Sequence, residues 1–394
     1  MKVYLQKLYS NARRKGLHKT IDRFGIVRNY AVRMMEAYYK MTGKSLTAFA
    51  LSNHIAKKKR NPLCKTSKMV EGLDAQAVQE CIGRVYKGYQ NFFRASKKKR
   101  GGGCIDNKRV RVPHIRKPWK NRSFTLLQCG YKFNEDRSKV RIQGKWYGIF
   151  KSQEIKGKVK RVTIKRDWCG DIYIAVLTDW CEQVEVPRTG CAAGFDFGLK
   201  TYLVGSDGTR IENPQFLKRE LDKYRKMSRQ FSRKAKGSNG SRKTRRTRAR
   251  LLRRINNQRA DWQWKTAWGL MRSYDVICLE TLNIAGMQRH RNWGRKVGDL
   301  AYSEFLQKLN HLAAKAGKKI VYIDRWAATS QTCHVCGYKN PDTKDLRVRE
   351  WECPHCHAKH DRDMNAAKNI LLAGTSASGL DIVRPTLQGG ANVA

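Results

Sequence analysis

The sequence is poor in acidic residues and has no long apolar run. Asp and Glu number 32 against 83 Lys and Arg in 394 residues, which gives a net charge of +51. We find no apolar stretch of about 18 residues, the length that indicates a membrane-spanning helix. Residues 1–16 also lack the apolar segment of a secretory signal. These absences argue against an integral membrane or secreted protein and predict an intracellular, cytoplasmic one.

The excess of positive charge predicts a polyanionic partner that covers much of the surface. An anionic membrane surface or a ribosome is an alternative partner of this kind. Nucleic acid is favoured, because the basic residues are interleaved with 10 Trp, 16 Tyr and 12 Phe, whose rings can stack on bases.

The first half of the chain changes its hydrophobic period. Residues 1–8 alternate like a short strand, and two helical stretches follow. Their apolar stripes, predicted to pack in a core or between helices, are Val27, Ala31, Met34 and Tyr38, and then Val78, Ile82, Val85, Tyr89 and Phe92. The basic, glycine-rich residues 97–109 are typical of a loop. From about 122 to 186 the period is two, which predicts antiparallel strands in a small barrel or a twisted sheet.

The second half alternates strands and helices. Residues 191–212 contain three predicted strands, and 274–282 and 318–326 contain one each. Between them lies a helical pair, broken at 237–241, with 17 basic and 2 acidic residues from Lys218 to Arg254. This density favours a strip along a phosphate backbone over a merely solvated face. A further helix carries the stripe Phe305, Leu309, Leu312 and Ala316. The last helix begins near Met364, and we expect the chain after Leu372 to fray.

Four of the 12 cysteines form two pairs. Cys333 and Cys336, and then Cys353 and Cys356, are each separated by two residues, with 16 residues between the pairs. This spacing is typical of a zinc ribbon, in which four thiolates close a tetrahedral site without an open position. We therefore predict a structural zinc ion. Four histidines crowd the segment, and one of them could replace a cysteine: His334, His355, His357 and His360.

Three acidic residues stand in or beside apolar strands. Asp196 lies in AAGFDFGLK, Glu280 ends DVICLE, and Asp363 precedes the last helix. A carboxylate in such a place carries a desolvation cost that a cation, a helix N-terminus or a metal ion must offset. Any one of them alone could be a helix cap or an ion-pair partner. In this order of elements, however, a ribonuclease-H-like sheet would bring all three to one edge, where two divalent ions could bind a scissile phosphate.

At these residues the sequence resembles the TnpB family. The segments GFDFGLKTYLVGSDG, DVICLETLNIAGM and TSQTCHVCGY with WECPHCHAKHDRDMNAAKNI resemble the three RuvC motifs and the zinc ribbon of these transposon-encoded nucleases. The family is related to compact type V CRISPR effectors. The resemblance extends loosely over the first half, including residues 111–126, and is close from 191 to 372.

The resemblance implies an α/β and β architecture, with a ribonuclease-H-like RuvC nuclease domain, a zinc-ribbon insertion, a β-barrel wedge domain and a helical recognition domain. The implied boundaries are 1–10 for the first wedge strand, 11–110 for the recognition domain, 111–190 for the wedge barrel, 191–330 for RuvC motifs I and II with the basic helical pair, 331–358 for the zinc ribbon, and 359–394 for the motif III helix and tail.

The function that the resemblance implies is RNA-guided cleavage of double-stranded DNA. A guide RNA would pair with the target strand while the protein reads a short flanking motif. Asp196, Glu280 and Asp363 match the family's catalytic acids and would hold two Mg²⁺ ions, whereas Asp361 would be structural. Zn²⁺ in the ribbon and the guide RNA complete the implied cofactors, and a prokaryotic nucleoid is the implied location.

Other functions stay open at this stage. A compact type V CRISPR effector would share the chemistry and the domains, although 394 residues is typical of the transposon form. A non-cleaving, RNA-guided repressor would be expected to lack one of the acids, and all three are present. A zinc-ribbon nucleic-acid protein without a guide would use the three acids structurally.

Overall fold

The computed structural model describes residues 1–9, 14–100, 111–181, 185–291, 293–345 and 347–376. The chain divides into two compact units, residues 1–182 and 183–394. Each unit has a hydrophobic core of its own. Among the helices of the described ranges, none combines the length and the apolar character needed to cross a membrane.

The first unit contains a seven-stranded antiparallel sheet. Its strands are β1 (Lys2–Leu8), β2 (Ser123–Leu126), β3 (Tyr131–Phe133), β4 (Lys139–Ile142), β5 (Lys145–Phe150), β6 (Val159–Arg166) and β7 (Ile172–Thr178). They lie in the order β2-β6-β7-β1-β5-β4-β3, so the N-terminal strand is central. Within the described residues β2 and β3 are the two edges and do not pair with each other. The predicted barrel is therefore an open sheet.

Four helices accompany this sheet: α1 (Arg14–Thr42), α2 (Ala48–Lys59), α3 (Lys65–Val70) and α4 (Ala75–Arg100). The two predicted stripes lie on α1 and α4, which pack together and bury Val27 and Ile82 completely. Tyr38, at the end of the first stripe, is 38% exposed and does not belong to the core. The sequence patterns did not predict α2 and α3. Helix α4 continues to Arg100, so a loop does not begin at 97, and residues 101–110 lie outside the described part.

The second unit contains a five-stranded sheet, a two-stranded sheet and the helices that follow α4. Its elements are β8 (Ala192–Phe197), β9 (Thr201–Gly205), β10 (Arg210–Glu212), α5 (Phe216–Arg219), α6 (Leu221–Ser232), α7 (Asn239–Ser273), β11 (Val276–Glu280), α8 (Ile284–Arg289), α9 (Gly294–Leu300), α10 (Tyr302–Ala316), β12 (Lys319–Ile323), β13 (Glu350–Glu352), β14 (Lys359–Asp361) and α11 (Arg362–Ser376). The sheet order is β10-β9-β8-β11-β12. Strands β8, β11 and β12 are parallel, so their carboxyl ends share one edge.

The two faces of this sheet are covered by different helices. Ala193 and Phe195 of β8 pack in a core with α7 and α10. The alternate position, Gly194, faces α11, because successive strand residues point to opposite faces. A Cβ at Gly194 would lie 2.5 Å from the Leu371 nitrogen and nearer still to the Ala367 carbonyl oxygen. Only glycine lets α11 approach β8 this closely. The helix continues to Ser376, so the expected fraying after Leu372 is wrong for 373–376.

The basic helical pair consists of α6 and α7. Helix α7 begins inside the predicted break, and Ser238 caps it by accepting a hydrogen bond from the Ser241 N–H at 3.1 Å. The guanidinium of Arg248 lies 4.6 Å from the centre of the Phe231 ring, which joins the two helices. No side chain of α6 is fully buried in the described structure, so its basic residues face solvent.

Candidate functional site

Two neighbouring strands place Asp196 and Glu280 side by side. Strands β8 and β11 pair in parallel up to Phe195 with Leu279, and the next residue on each strand is the carboxylate. Residues that follow a register pair directly share a face of the sheet. Asp196 and Glu280 therefore project from the face opposite the α7 and α10 core, and both are half-buried.

Helix α11 brings Asp363 to the same face. Asp363 lies in the first turn of this helix, which crosses β8 at Gly194 and β11 at Cys278. Because Gly194 and Asp196 are two residues apart on one strand, the face that receives the helix is also the face of the carboxylate. The three acids identified in the sequence thus converge.

The pKa values of two of these carboxyl groups reflect burial and, for Asp196, the proximity of the other two acids. Loss of water contact and the nearby charges of Asp363 and Glu280 raise the pKa of Asp196 to about 7, while Arg362 and a hydrogen bond from the Phe197 N–H act in the opposite direction. Burial also raises the pKa of Glu280. Carboxyl groups that resist ionisation together form a site that gains stability from bound positive charge.

Arg349 is a residue of this site that the sequence patterns did not reveal. Its Nη1 lies 3.1 Å and 3.3 Å from the two carboxylate oxygens of Asp363, and its side chain is 58% exposed. Arg349 directly precedes β13 and lies outside the helices and strands, so no periodic pattern in the sequence indicates its contact with Asp363. Arg349 therefore pairs with Asp363, while Arg362 acts on Asp196.

Asp361 makes different contacts from Asp363. Its Oδ1 accepts the Met364 N–H at 2.9 Å, which caps α11, and its Oδ2 pairs with Arg210 at 3.0 Å. Burial alone would raise the pKa of Asp361, but these two partners lower it. These contacts support the structural role inferred for Asp361, and they show that Asp361 accepts the capping hydrogen bond of α11.

The four paired cysteines form a compact cluster. All four sulfurs lie within 4.8 Å of one another, with Cys333 to Cys356 at 3.7 Å and Cys336 to Cys353 at 3.6 Å. A tetrahedral zinc ion with Zn–S bonds of about 2.3 Å requires S–S distances of about 3.8 Å. The donors and their spacing therefore fit a structural zinc ion. The prediction of one site from these four cysteines is confirmed in its geometry.

One of the four histidines supports the cluster from outside. The Nε2 of buried His360 lies 3.1 Å from the Cys333 sulfur, and its ring packs against Trp351. A hydrogen bond of this kind orients a thiolate ligand and offsets part of its charge. His360 thus accompanies Cys333 and does not replace it.

The ribbon is attached to α11 through two buried amides. The Nδ2 of Asn365 donates to the Thr332 carbonyl at 2.8 Å, and its Oδ1 accepts the His334 N–H at 3.0 Å. Asn369, one turn later, donates to the carbonyls of Thr332 and Thr329. The spacing of four residues in NAAKN is the sequence signal that was available for this contact, and it was missed. The zinc site and the helix of Asp363 are therefore one hydrogen-bonded assembly.

Two family models match parts of the chain between residues 174 and 370. One is described as "Cas12f1-like, TNB domain" and covers residues 302–370, which include the four cysteines. The other is described as "Probable transposase" and covers residues 174–291. The first match includes Asp363, and the second includes Asp196 and Glu280.

Known proteins agree with these models. A Streptomyces pristinaespiralis protein named "Putative RNA-guided DNA endonuclease" is 31% identical over 313 residues, which is 78% of this chain and 74% of that protein. "TnpB-like protein L79" of Acanthamoeba polyphaga mimivirus is 29% identical over 230 residues, 55% of this chain and 43% of that protein. In a Cas12f1-sgRNA-target DNA complex, the protein has a similar fold, with a TM-score of 0.56 at 14% identity over 90% of this chain and 82% of that one. The chain belongs to the TnpB family of RNA-guided DNA endonucleases.

Proposed function

We propose that this chain is an RNA-guided, metal-dependent endonuclease that cuts DNA complementary to its guide, beside a short flanking motif. The observation that carries the proposal is the convergence of Asp196, Glu280 and Asp363 at one edge of the sheet, where burial and the two neighbouring charges raise the pKa of Asp196 to about 7. The relative that shares 31% identity is named for this activity, which supports the same assignment.

The carboxylate site suits Mg²⁺. All its donors are carboxylate oxygens, which this ion prefers, and a cation, Arg349, already lies against one of them. When bound, two Mg²⁺ ions would activate a water and stabilise the leaving oxygen of the scissile phosphodiester. Asp196, Glu280 and Asp363 would hold the ions.

The protein's own groups prepare this site. Asp196 must lose its proton before it can act as a ligand, and its raised pKa makes that step sensitive to pH near neutrality. Arg349 is exposed enough to turn from Asp363 to a phosphate oxygen once the charge of that carboxylate is compensated.

The nucleic acids are assigned to the basic surface. Guide RNA and target DNA together are the polyanions that a net charge of +51 would bind, and the exposed strip of α6 and α7 is the densest part of that charge. The solved structure with a similar fold was determined with a guide RNA and target DNA. In this scheme base pairing selects the sequence, and the protein holds the backbones.

The domain assignment follows the elements. We assign the open sheet of the first unit (1–10 and 111–190) to the wedge domain, helices α1–α4 (11–110) to the recognition domain, the five-stranded sheet with α5–α10 (191–330) to RuvC motifs I and II, residues 331–358 to the zinc ribbon, and α11 with the tail (359–394) to RuvC motif III.

The test begins with the protein purified from cells that carry its native locus. We expect one discrete co-purifying RNA with a constant structured part and a definite 3′ segment, and cleavage of DNA complementary to that segment only when Mg²⁺ is present. Asp196→Ala should abolish cleavage and retain DNA binding, because a metal-ligand carboxylate makes no phosphate contact. Glu135→Ala, at an exposed acid in the turn between β3 and β4, is the matched control and should cleave normally. Heterogeneous RNA, or undiminished cleavage by Asp196→Ala, would contradict the proposal.

A further inference from the structure

The chain that follows β12 leaves the sheet at the edge that carries the carboxylates. Ile323, the last residue of β12, is the register partner of Glu280. The Thr281 hydroxyl donates a hydrogen bond to the Ile323 carbonyl at 2.8 Å, so the ends of the two strands are fixed to each other. The next residues, Asp324, Arg325 and Trp326, are therefore neighbours of the site.

A hydrogen-bonded turn presents Trp326 to solvent. The Oδ1 of Asp324 accepts the Trp326 N–H at 2.8 Å, and the Asp324 carbonyl accepts the Ala327 N–H at 3.3 Å. The Trp326 side chain is 80% exposed. Tryptophan is normally buried for most of its large surface. Its place on a fixed turn beside the site calls for a partner that packs on the ring.

The charge beside the ring indicates the class of that partner. The Arg325 guanidinium carbon lies 4.8 Å from the centre of the Trp326 ring, a cation–π contact. An exposed aromatic ring next to an arginine is the pairing that proteins use for single-stranded nucleic acid, with the base on the ring and the phosphate near the guanidinium. Arg349, which pairs with Asp363, adds a further positive charge to the site.

The distance suits a base near the cut. Trp326 follows Ile323 by three residues, which span at most about 11 Å, and neighbouring strands are about 4.8 Å apart. The Cα atom of Trp326 therefore lies within about 16 Å of that of Glu280. That separation corresponds to a few nucleotides along a strand.

We propose that Trp326 and Arg325 form a stacking platform for one unpaired base of the DNA strand that enters the carboxylate site. The proposal rests on the proposed nuclease function and adds a substrate requirement to it. A base inside a duplex has both faces covered by its neighbours, so only an unpaired strand can use the ring. Stacking accepts any base, because every base has a π-face. The platform thus selects single-stranded DNA at the cut without reading its sequence.

Trp168 provides a matched control. It is also 80% exposed, and the Arg122 guanidinium lies 4.0 Å from its ring, but it belongs to the first unit, in the turn between β6 and β7. A substitution there removes the same local chemistry from a place that the proposal does not involve.

The experiment uses the RNA-loaded protein and target DNA in which a single 2-aminopurine, a base whose fluorescence is quenched by stacking, is moved position by position past the mapped cut. The protein carries Asp196→Asn so that the strand stays intact. We expect strong quenching at one position near the cut. Adding Trp326→Ala should abolish this quenching, Trp326→Phe should retain part of it, and Trp168→Ala should leave it unchanged. Equal quenching with and without Trp326→Ala would overturn the proposal.

Cleavage kinetics give a second, independent measure. In protein with Asp196 intact, Trp326→Ala should lower kcat/KM at least about fivefold, the low end for loss of one stacked base. An abasic site at the quenched position should slow the wild-type protein similarly and have no further effect on Trp326→Ala. An abasic effect that persists in Trp326→Ala would also overturn the proposal. If protein with Asp196 intact did not cleave but still showed quenching that depends on Trp326, the platform would be supported and the nuclease function contradicted, so the two failures are distinguishable.

Discussion

Replacement of Asp196 by asparagine should stabilise the metal-free second unit at neutral and alkaline pH. The pKa of Asp196 is raised from 3.8 to about 7, so the folded protein retains a proton that the unfolded chain releases between these values. Stability is therefore lost as the pH rises from about 4 to about 7, and the loss is constant above that range. Asparagine has no charge to bury and escapes this loss.

The magnitude follows from the size of the shift. About 3 pKa units at 1.36 kcal/mol each give an upper limit of about 4 kcal/mol at pH 8. Repacking around the amide and residual structure in the unfolded chain will reduce it, so we expect about 2–3 kcal/mol. Well below pH 3.8 the two proteins should approach equal stability, because the Asp196 carboxyl is then uncharged in both the folded and the unfolded state.

Magnesium should offset most of this difference. An ion that binds only the folded protein adds about 2.7 kcal/mol at a free concentration 100 times its Kd. The wild-type protein should gain this stability at pH 8, and Asp196→Asn, which has lost a ligand, should gain much less.

The assay is hydrogen exchange at the amides of β8 and β11 in urea, because buried strands report unfolding of their own unit. Asp361→Asn is the control of opposite sign. The Met364 N–H and Arg210 lower the pKa of Asp361 against the effect of burial, so its charged form stabilises the fold, and the substitution should destabilise the unit at pH 8. The reasoning is refuted if Asp196→Asn is no more stable than the wild type at pH 8 without Mg²⁺.

Two further predictions concern α11 and its neighbours. Gly194→Ala should lower the free energy of unfolding by about 1–3 kcal/mol or more and impair cleavage, because its Cβ would displace the helix that carries Asp363. The control Gly269→Ala, on α7 with open space around it, should not lower the free energy of unfolding. Equal behaviour of the two variants in urea unfolding would contradict this prediction. Cys333→Ser should lose both zinc, measured by metal analysis, and cleavage activity, because the ribbon holds α11 in place. Cys129→Ser, at an exposed cysteine, should keep both. Full cleavage by zinc-free protein would refute this coupling.

The sequence predicted the second unit better than the first. Strands β8 to β12 and α10 have strong periodic patterns, and the C-x2-C pairs impose a geometry of their own, so periodicity and spacing were enough to place Asp196, Glu280 and the four cysteines. Asp363 was separable from Asp361 only through the family resemblance. The structure gives the physical reason for that difference, since Asp361 caps the helix and Asp363 faces the sheet.

What was missed depends on contacts rather than on patterns. Period-two alternation identifies strands but does not specify whether β2 and β3 pair, so an open sheet could not be distinguished from a barrel. Arg349 and Asp363 are 14 residues apart, on either side of the hairpin of β13 and β14, and no periodic pattern relates them. Trp326 belongs to the turn of residues 324–327, and only its exposure in the structure separates it from a buried tryptophan such as Trp351.

The position of α11 in the chain has a consequence for how the enzyme is made. It is the last described element to leave the ribosome, yet it packs on β8, which begins 170 residues earlier, and it supplies the third carboxylate. A nascent chain that has folded its five-stranded sheet still has an open face beside Asp196 and Glu280. Contacts between such distant segments form late. The third carboxylate of the proposed site therefore joins the other two only after the ribbon has been synthesised.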